Sequence, residues 1–435
     1  MAGKRQVAVI GAGLSGLCCL QHLSKYPEQF ELTCYEQTQE IGGTWVYTDK
    51  TDIDNEKGLH IHSSMYKNLR VNIPKQIMCY PDFPFKDSLP TFPHHTDVLE
   101  YIKQYTDHYN LHKYIHYNSE ATNVRPLFPP SPSGSSECQW EVTVRDVLSG
   151  KEVRKLYDII MICTGKFFKP YCDIDGLQHF KGIVVHSHNY RVPELFTGQR
   201  VLVIGAGESG TDISLEVAKT AKEVLVSHSG SMKKRYDSIP PNMHDVSRVS
   251  SIKECGSVLL EDGSVIPNED IDAILPCTGY EYEFPFLSPE CSIGITDHRV
   301  HPLYKHMVNT KFPSMAFIGL NYRIIPSAVV ESQVKYYLSV LLGNTKLPSR
   351  EEMEADANRD YQHRLDNGFK VRDAHSLSGD LQWAYTDSLA EEGGFEPVKS
   401  FVKEVARFIT KQRMSNINYR KVEIEVMDDN KWKVL

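Results

Sequence analysis

Two short, wholly apolar runs, each followed at once by a glycine-rich turn, stand out along the chain. Residues 7–10 read Val-Ala-Val-Ile and residues 201–204 read Val-Leu-Val-Ile, the pattern of strands that are buried on both faces. Each run leads into a G-x-G-x-x-G turn, at 11–16 and 205–210, and each turn opens a helix-like segment. The pattern predicts two strand–turn–helix units in one chain.

The two units also end alike. The apolar run at 159–163 is followed by Thr164 and Gly165, and the run at 273–277 is followed by Thr278, Gly279 and Tyr280. Other patterns predict helices at 96–109 and 327–342, a strand at 140–145, a Pro- and Ser-rich exposed loop at 126–136 and an edge strand at 422–426. We therefore predict an α/β fold with two Rossmann-like domains. The larger domain comprises 1–168 and 282–435, and the smaller domain, 169–281, is inserted in it.

The spacing of the glycines is that of a dinucleotide-binding turn. Glycines permit the tight turn, let backbone N–H groups approach a pyrophosphate and allow close packing of helix on strand. The helix N-terminus adds partial positive charge for the phosphates. Two nucleotide cofactors are therefore expected. The predicted contacts are Gly11, Gly13, Leu14, Ser15 and Gly16 in the first unit, and Gly205, Gly207, Glu208, Ser209 and Gly210 in the second.

The end of the next strand predicts the cofactor of the first unit. The extended stretch at 30–35 ends at Glu36, with Gln37 beside it, about twenty residues beyond Gly16. A carboxylate at this position accepts hydrogen bonds from ribose hydroxyls, which suits an adenosine with a free ribose. The first unit is therefore predicted to bind FAD.

The second unit has no acid at the corresponding place. Ser227 and His228 stand there, and the basic residues Lys233, Lys234 and Arg235 follow. A carboxylate would repel a 2′-phosphate, whereas hydroxyls and a cation would hold it, so NADPH is predicted here rather than NADH. For residues 233–235 a solvated basic loop is the alternative interpretation.

The charge, the hydropathy and the cysteine spacing of the chain argue against several classes of protein. The chain has 435 residues and a formal net charge of −8, which argues against nucleic acid or an anionic membrane as a partner. No apolar run approaches a membrane span, so we expect a cytoplasmic protein, or a secreted one if a leader was removed. The ten cysteines include no C-x-x-C pair, which argues against the flavin disulfide reductases.

A metal site is not expected. His108, His112 and His116 recur every four residues and could line one helix face, as zinc ligands can. Asn110 and the lack of a neighbouring carboxylate weaken this interpretation.

The segment between the two turns carries the most specific motif. Residues 180–190 read Phe-Lys-Gly-Ile-Val-Val-His-Ser-His-Asn-Tyr, which fits F-x-G-x-x-x-H-x-x-x-[Y/F]. On this motif the chain resembles the class B flavin-dependent monooxygenases and, within them, the flavin-containing monooxygenases. The similar Baeyer–Villiger enzymes carry Trp where this chain has Tyr190.

The resemblance extends over nearly the whole chain. Residues 40–45 resemble the family's second flavin-contacting glycine motif, and residues 275–280 resemble its L-A-T-G-Y motif, with Pro and Cys at the second and third places. Residues 71–75 and 82–84 are similar to the loop beside the flavin. The chain lacks the hydrophobic tail of the membrane-bound vertebrate members. It looks more like the soluble insect and fungal members, some of which N-oxidise pyrrolizidine alkaloids.

The resemblance implies a reaction and roles for single residues. NADPH reduces FAD, the reduced flavin and O₂ give a C4a-hydroperoxyflavin, and a soft N or S atom of an amine or thioether takes the distal oxygen. Asn72 is expected to be the catalytic amide, although on its own it could be a turn residue. His186 and Tyr190 are expected at the NADPH site and the domain junction, and Gln333 at FAD. The other implied cofactor contacts are Gly43, Thr44, Trp45, Thr164, Gly165, Thr278, Gly279 and Tyr280.

Other functions remain open at this point. A Baeyer–Villiger or N-hydroxylating monooxygenase and an uncoupled NADPH oxidase would share both cofactors. A non-catalytic protein that kept the fold is a further alternative. The chain could also form a homo-oligomer.

Overall fold

A computed structural model describes residues 3–127, 138–232, 236, 238–428 and 431–435. The helices are α1 (Leu14–Leu23), α2 (Lys75–Met78), α3 (His95–His108), α4 (Glu208–Val217), α5 (Pro326–Leu341), α6 (Arg350–Asp366), α7 (Leu381–Gly393) and α8 (Ser400–Ser415).

The strands before the second glycine turn are β1 (Arg5–Ile10), β2 (Phe30–Tyr35), β3 (Ile53–Asp54), β4 (Leu59–His60), β5 (Ile115–His116), β6 (Ser119–Leu127), β7 (Gln139–Asp146), β8 (Glu152–Tyr157), β9 (Ile159–Ile162), β10 (Lys169–Pro170), β11 (Ile183–Val184) and β12 (Arg200–Ile204). Those after it are β13 (Glu223–Ser227), β14 (Met243–Val246), β15 (Val249–Ile252), β16 (Val258–Leu260), β17 (Val265–Ile266), β18 (Ala273–Pro276), β19 (Tyr280–Glu281), β20 (Gly294–Thr296), β21 (Arg299–His301), β22 (Leu303–Tyr304), β23 (Val308–Asn309), β24 (Met315–Phe317), β25 (Ile424–Asp428) and β26 (Lys431–Val434).

The larger sheet is assembled from two distant parts of the chain. Its strand order in the described residues is β22-β23-β24-β9-β1-β2-β5. The strands from β24 to β5 are parallel, and β22 and β23 are antiparallel additions at one edge. Thus β24 pairs with β9 although more than one hundred and fifty residues separate them in the sequence.

The smaller sheet contains only strands from the intervening part. Its order is β11-β18-β12-β13-β14, and every pairing in it is parallel. The chain leaves the larger sheet through β10 and returns through β19. These two short strands pair with each other, Lys169 opposite Glu281 and Pro170 opposite Tyr280. The two passages between the sheets therefore lie side by side.

Both apolar runs form central strands because they are covered on both faces. In β1, Val7 and Val9 belong to the cluster that includes residues of α1 and α5. Ala8 and Ile10 point the other way, into a cluster with residues of the three-stranded sheet β6-β7-β8. Alternate side chains of a strand face opposite sides of a sheet, so a strand covered on both sides must be apolar throughout.

Several predicted elements are confirmed, and two need correction. The helices predicted at 96–109 and 327–342 are α3 and α5, and the strand predicted at 140–145 is β7. The strand predicted at 422–426 exists as β25, but it pairs with β26 in a hairpin and does not extend a larger sheet. The loop predicted at 126–136 starts too early, since residues 126 and 127 still belong to β6, and its remainder lies outside the described residues. Within the described residues, no helix is long and apolar enough to cross a membrane.

Trp140 anchors the three-stranded sheet to the larger sheet, and its truncation gives the first prediction. The side chain is fully buried, and its indole Nε1 donates a hydrogen bond to the Ser314 hydroxyl at 3.0 Å. Trp140→Ala should lower the free energy of unfolding by about 3–5 kcal/mol, because it leaves a cavity. Leu148→Ala, in the exposed turn of the same sheet, should change it by less than about 0.5 kcal/mol in the same urea titration. Equal effects of the two changes would contradict this role for Trp140.

Candidate functional site

The two glycine turns have the same backbone geometry. Gly11 has φ +100° and Gly205 has φ +102°, conformations that favour glycine. A Cβ atom on Gly16 would lie 1.9 Å from the Gly11 carbonyl oxygen, and one on Gly210 would lie 1.9 Å from the Gly205 oxygen. Only glycine allows the helix to start this close to the turn.

The helices that follow these turns leave their first N–H groups without a side-chain cap. Gly13 precedes α1 and Gly207 precedes α4, both with extended backbone and neither with a capping side chain. Uncapped N–H groups and the helix dipole form an anion site. Leu14 and Ser15 lie in the first turn of α1, and Ser209 lies in the first turn of α4. Both turns therefore fit a pyrophosphate.

Glu36 lies against the first turn, as its position after β2 predicts. Its carboxylate accepts hydrogen bonds from the Ala12 N–H at 3.0 Å and from the N–H and hydroxyl of Thr38, each at 2.9 Å. Burial raises the pKa of this carboxyl, and the hydrogen bonds from Ala12 and Thr38 oppose that shift. The neighbouring Gln37 is half-buried. The carboxylate is thus fixed beside the turn, where a ribose would lie.

The second glycine motif packs on the first turn. Gly43 has φ +56°, and a Cβ atom on it would lie 3.3 Å from the Gly13 Cα. The Gly42 N–H also donates to the Ala12 carbonyl at 3.1 Å. Thr44 and the half-buried Trp45 complete the short 3-10 helix Gly43–Trp45. Residues about thirty positions apart in the sequence therefore line one cradle.

A cavity of about 300 Å³ opens beside the second turn. It is lined by Ala206 and residues 228–232. Ser227 does not offer its hydroxyl to this cavity, because that hydroxyl donates to the Ser247 carbonyl at 3.1 Å and accepts from the Val249 N–H at 2.9 Å. The exposed Ser229, which we did not assign as a ligand from the sequence, lines the cavity instead.

His228 is held in place in the wall of the same cavity. Its Nε2 lies 2.9 Å from an Asp245 carboxylate oxygen, and its Nδ1 accepts from the Gly230 N–H at 3.1 Å. Arg235, the predicted cation for the 2′-phosphate, lies outside the described residues.

Asn72 connects the loop before α2 to the second turn. Its side-chain Nδ2 donates to a Glu208 carboxylate oxygen at 3.1 Å. Arg413 forms an ion pair with the same oxygen. Asn72 therefore contacts the first residue of α4, at the place where the second turn offers its N–H groups.

The motif residues after β18 meet the segment 186–190. The Tyr280 ring lies edge-on to His186 at 5.8 Å and to His188 at 5.7 Å between ring centroids. The Thr278 hydroxyl donates to the Tyr171 carbonyl, and Gly279 has φ +96°. The predicted junction residues are thus in one place.

Two further predicted groups complete this region. Tyr190 is buried, with its ring stacked on Phe196 at 6.2 Å. Thr164 lies two residues beyond the end of β9, and Gly165 has φ +74°, with the His62 Nε2 3.7 Å from where its Cβ would be. The Tyr190 ring also lies edge-on to Tyr66 at 5.4 Å between ring centroids, so Tyr190 packs against residues on both sides of the junction.

Gln333 is fully buried in α5, and the structure gives its amide three protein partners. Its Oε1 accepts from the Gly319 N–H at 2.9 Å, and its Nε2 donates to the Asn321 Oδ1 and the Tyr385 hydroxyl, both at 2.9 Å. Gly319 in turn packs against the Ser15 side chain, whose Oγ is 2.6 Å from where a Cβ would be. Gln333 therefore positions the loop that touches the first turn.

The three periodic histidines lie on different elements. His108 ends α3, His112 starts a 3-10 turn, and His116 ends β5. The helix face that their spacing suggested does not exist, because α3 stops at His108. Among the described residues, no group of three potential ligands could hold a metal ion.

Comparisons with known proteins identify the family. The family model described as flavin-binding monooxygenase-like matches residues 4–252 and 239–403. The chain is 34% identical over 422 residues to the flavin-containing monooxygenase FMO GS-OX-like 2 of Arabidopsis thaliana, covering 92% of this chain and 88% of that relative. The chain belongs to the flavin-containing monooxygenase family.

Solved structures of flavin-containing monooxygenase relatives agree with this fold. The S-allyl-L-cysteine S-oxygenase from Allium sativum superposes with a TM-score of 0.83 at 31% identity, covering 94% of this chain and 93% of that one. Tmm from Pelagibacter sp. strain HTCC7211 superposes with a TM-score of 0.80 at 26% identity, covering 95% and 92%. The protein is a monooxygenase and an oxidoreductase that uses FAD and NADPH.

Arg191, which directly follows the monooxygenase identifier motif, was not among the predicted site residues. The side chain is 7% exposed and donates at 2.6–3.1 Å to five carbonyl oxygens, those of Thr48, Lys50, Ser63, His188 and Tyr190. Burial lowers the pKa of its guanidinium. Arg191 therefore ties the segment 48–63 to the identifier segment. Its position directly after the motif is the signal that could have found it.

Lys166 of the monooxygenase is a second residue that was not among the predicted site residues. It follows Gly165, and its Nζ lies 3.3 Å from the Tyr322 ring centroid and 4.8 Å from that of Tyr282. Burial lowers the pKa of this ammonium to about 7, and the positive charge of Arg323 adds to the effect. A side chain that changes its charge near neutral pH therefore lies next to the junction of the domains.

The buried histidines at the monooxygenase junction predict acid sensitivity. Burial, followed by repulsion from His188, lowers the pKa of both His62 and His186 to about 4. The unfolded chain therefore binds more protons than the folded chain between about pH 6.5 and pH 4. The contribution of these two histidines to the free energy of unfolding should fall as the pH is lowered through this window and level off below about pH 4.

Urea titrations at stepped pH values check this prediction. His186→Gln should show a shallower pH dependence than the parent protein, because one suppressed protonation is removed. His363→Gln, an exposed position on α6, should keep the parent slope. Parallel curves for all three proteins would refute the assignment.

Proposed function

We propose that the first glycine turn binds FAD and the second binds NADPH, with domain boundaries at 1–168 plus 282–435 and at 169–281. Support comes from the carboxylate of Glu36 fixed beside the first turn and from the cavity with Ser229 and His228 beside the second. A carboxylate favours a free ribose, whereas the exposed Ser229 hydroxyl in the second cavity suits a phosphate, and His228, held by Asp245 and Gly230, shapes the cavity wall. Of the predicted ligands, Ser227 is assigned instead a structural role, because its hydroxyl bonds to the Ser247 carbonyl and the Val249 N–H.

The bound cofactors supply hydride transfer and oxygen activation, and the chain supplies position and shielding. We assign to Asn72 the amide that orients groups at the contact between the two turns, which its bond to Glu208 supports. His186 and Tyr280 lie edge-on to each other at the junction and are half-buried, and burial lowers the pKa of His186 to about 4, so its ring is uncharged at neutral pH. With the cofactors bound, such a wall would help to keep water from the reacting centre.

We propose a thioether as the substrate and its S-oxide as the product. The proposal is supported by two relatives: one is named GS-OX-like, and another is named S-allyl-L-cysteine S-oxygenase. A soft sulfur nucleophile also needs no proton removed before it attacks, so the site requires no general base. A tertiary amine, such as a pyrrolizidine alkaloid, is the alternative substrate class. Both would be small molecules.

Matched glycine substitutions test the cofactor assignment. Gly16→Ala and Gly210→Ala introduce the same 1.9 Å clash with the preceding turn. Gly16→Ala should yield protein without bound flavin. Gly210→Ala should keep the flavin, retain reduction by dithionite and lose reduction by NADPH. Absorbance spectra and anaerobic reduction distinguish the two variants, and loss of flavin from Gly210→Ala alone would reverse the assignment.

Product analysis tests the substrate class. The flavin-loaded protein is given NADPH and O₂ with a dialkyl sulfide, a tertiary amine or a cyclic ketone, and products and peroxide are measured by mass spectrometry and a peroxide assay. We expect S-oxide formation to account for most of the NADPH consumed, with a higher kcat/KM for the sulfide than for the amine. A preferred N-oxide would indicate amine oxygenation, a lactone a Baeyer–Villiger enzyme, and peroxide alone an uncoupled oxidase.

A further inference from the structure

Three carboxylates line one face of α4. Glu208, Asp212 and Glu216 are spaced four residues apart, which places their side chains in one row along the helix. α4 is the helix that begins at the second glycine turn, with Gly207 as its N-cap. A displacement of this helix would therefore displace the turn.

The middle carboxylate makes the largest set of contacts. Arg420 donates to Asp212 through both terminal nitrogens, at 2.5 and 3.0 Å, and the Tyr66 hydroxyl also donates to it. Side-chain exposure is 21% for Arg420 and 26% for Asp212, so the pair is partly shielded from water. Burial, followed by the Asp212 charge, raises the pKa of Tyr66 well above its ordinary value, so its hydroxyl stays a donor.

Arg420 also holds the loop that carries Asn72. Its Nε donates to the Val71 carbonyl at 3.0 Å, and one terminal nitrogen donates to the Arg70 carbonyl at 3.1 Å. A single guanidinium thus connects α4 to the backbone immediately before Asn72.

The partners of the two outer carboxylates come from the same parts of the chain as those of Asp212. Glu208 accepts from Asn72 and pairs with Arg413, and Glu216 accepts from the Asn68 side-chain amide at 2.6 Å. These partners, like Tyr66 and Arg420, lie in residues 66–72 and 413–420, outside the part of the chain that forms the smaller sheet. The row of carboxylates is therefore a contact between the two domains.

We propose that this acidic face of α4 fixes the orientation of the NADPH-binding domain on the FAD-binding domain, with Asp212 and Arg420 as the central positioning pair. The inference rests on the proposed assignment of NADPH to the second turn. The directional bonds of a guanidinium with a carboxylate set an angle as well as a distance. Misplacing a reactant by about 1 Å costs on the order of a hundredfold in rate. The pair should therefore govern hydride transfer from NADPH without taking part in it.

Asp212→Asn and Arg420→Met, alone and combined, test the proposal in the flavin-loaded protein. The first keeps the shape of the side chain, and the second keeps much of the arginine stem. We expect the limiting rate of flavin reduction by NADPH to fall roughly tenfold to a hundredfold in each variant. The effects of the two changes should be less than additive in the double variant, since both changes break the same contact between Asp212 and Arg420.

Two other measurements separate positioning from general damage. Flavin content and the rate of reduction by dithionite should stay at parent values. Amide hydrogen exchange should rise in α4 and in residues 66–72, whether or not NADPH is present. The control is Arg407→Met, on the same helix as Arg413, where the arginine pairs with Asp380 and both side chains are more than half exposed. That variant should match the parent in every measurement.

The proposal is overturned if Asp212→Asn reduces with NADPH at the parent rate or if α4 exchanges as in the parent. If Arg420→Met does not fold, the isosteric Asp212→Asn variant carries the test alone. A failure of the assignment of NADPH to the second turn would give a different result. The flavin of Gly210→Ala would then still be reduced by NADPH, whatever the result for the Asp212 variants.

Discussion

The structure depends on a contact between a helix and its preceding turn that is too close for any side-chain carbon. At Gly16 and again at Gly210, the place of a Cβ atom is 1.9 Å from a backbone oxygen of the turn. This contact brings the uncapped ends of α1 and α4 to the carboxyl ends of their sheets, where a parallel α/β fold binds its ligands. Other parts of the site are arranged around these two ends. Gly43 packs on the glycine turn before α1, and Asn72 and Arg413 both contact the first residue of α4.

Two domains with the same turn can work together only if their relative placement is defined. At one side of the junction, Arg191 donates to five carbonyl oxygens and so holds two chain segments together. At the other side, the carboxylates of α4 hold α4 to Arg420 and its neighbours. Both devices use guanidinium groups that are largely removed from solvent, where hydrogen bonds are stronger than at an open surface. The junction histidines His62 and His186 are kept neutral by burial. The junction is therefore polar in its hydrogen bonds, while the histidines add no charge to its interior.

The local elements of the fold could be predicted from the sequence because their causes are local. The apolar runs of β1 and β12, the glycine turns and the amphipathic pattern of α3 each lie within a few residues. The place of Glu36 also followed from its position after a strand. In contrast, the pairing of Ser227 with Ser247 and Val249 depends on a loop twenty residues away, and it removed a hydroxyl from the predicted ligands. Arg420 lies more than two hundred residues from Asp212, and no periodicity connects them. β25 was visible as a strand, but its partner was not, since alternation shows which face is buried and not which strand is adjacent.

The pairing of β10 with β19 has a consequence for how the chain folds. An insertion of more than one hundred residues would normally impose a loop-closure penalty on the domain that contains it, since its two ends must be brought together. Here the ends are neighbouring strands, about 5 Å apart between paired Cα atoms. Once the inserted part has folded, it joins the two flanking chain segments over a short distance. With β10 and β19 side by side, β24 meets β9 across an effective loop of about forty residues instead of about one hundred and fifty, which lowers the entropy cost of their pairing.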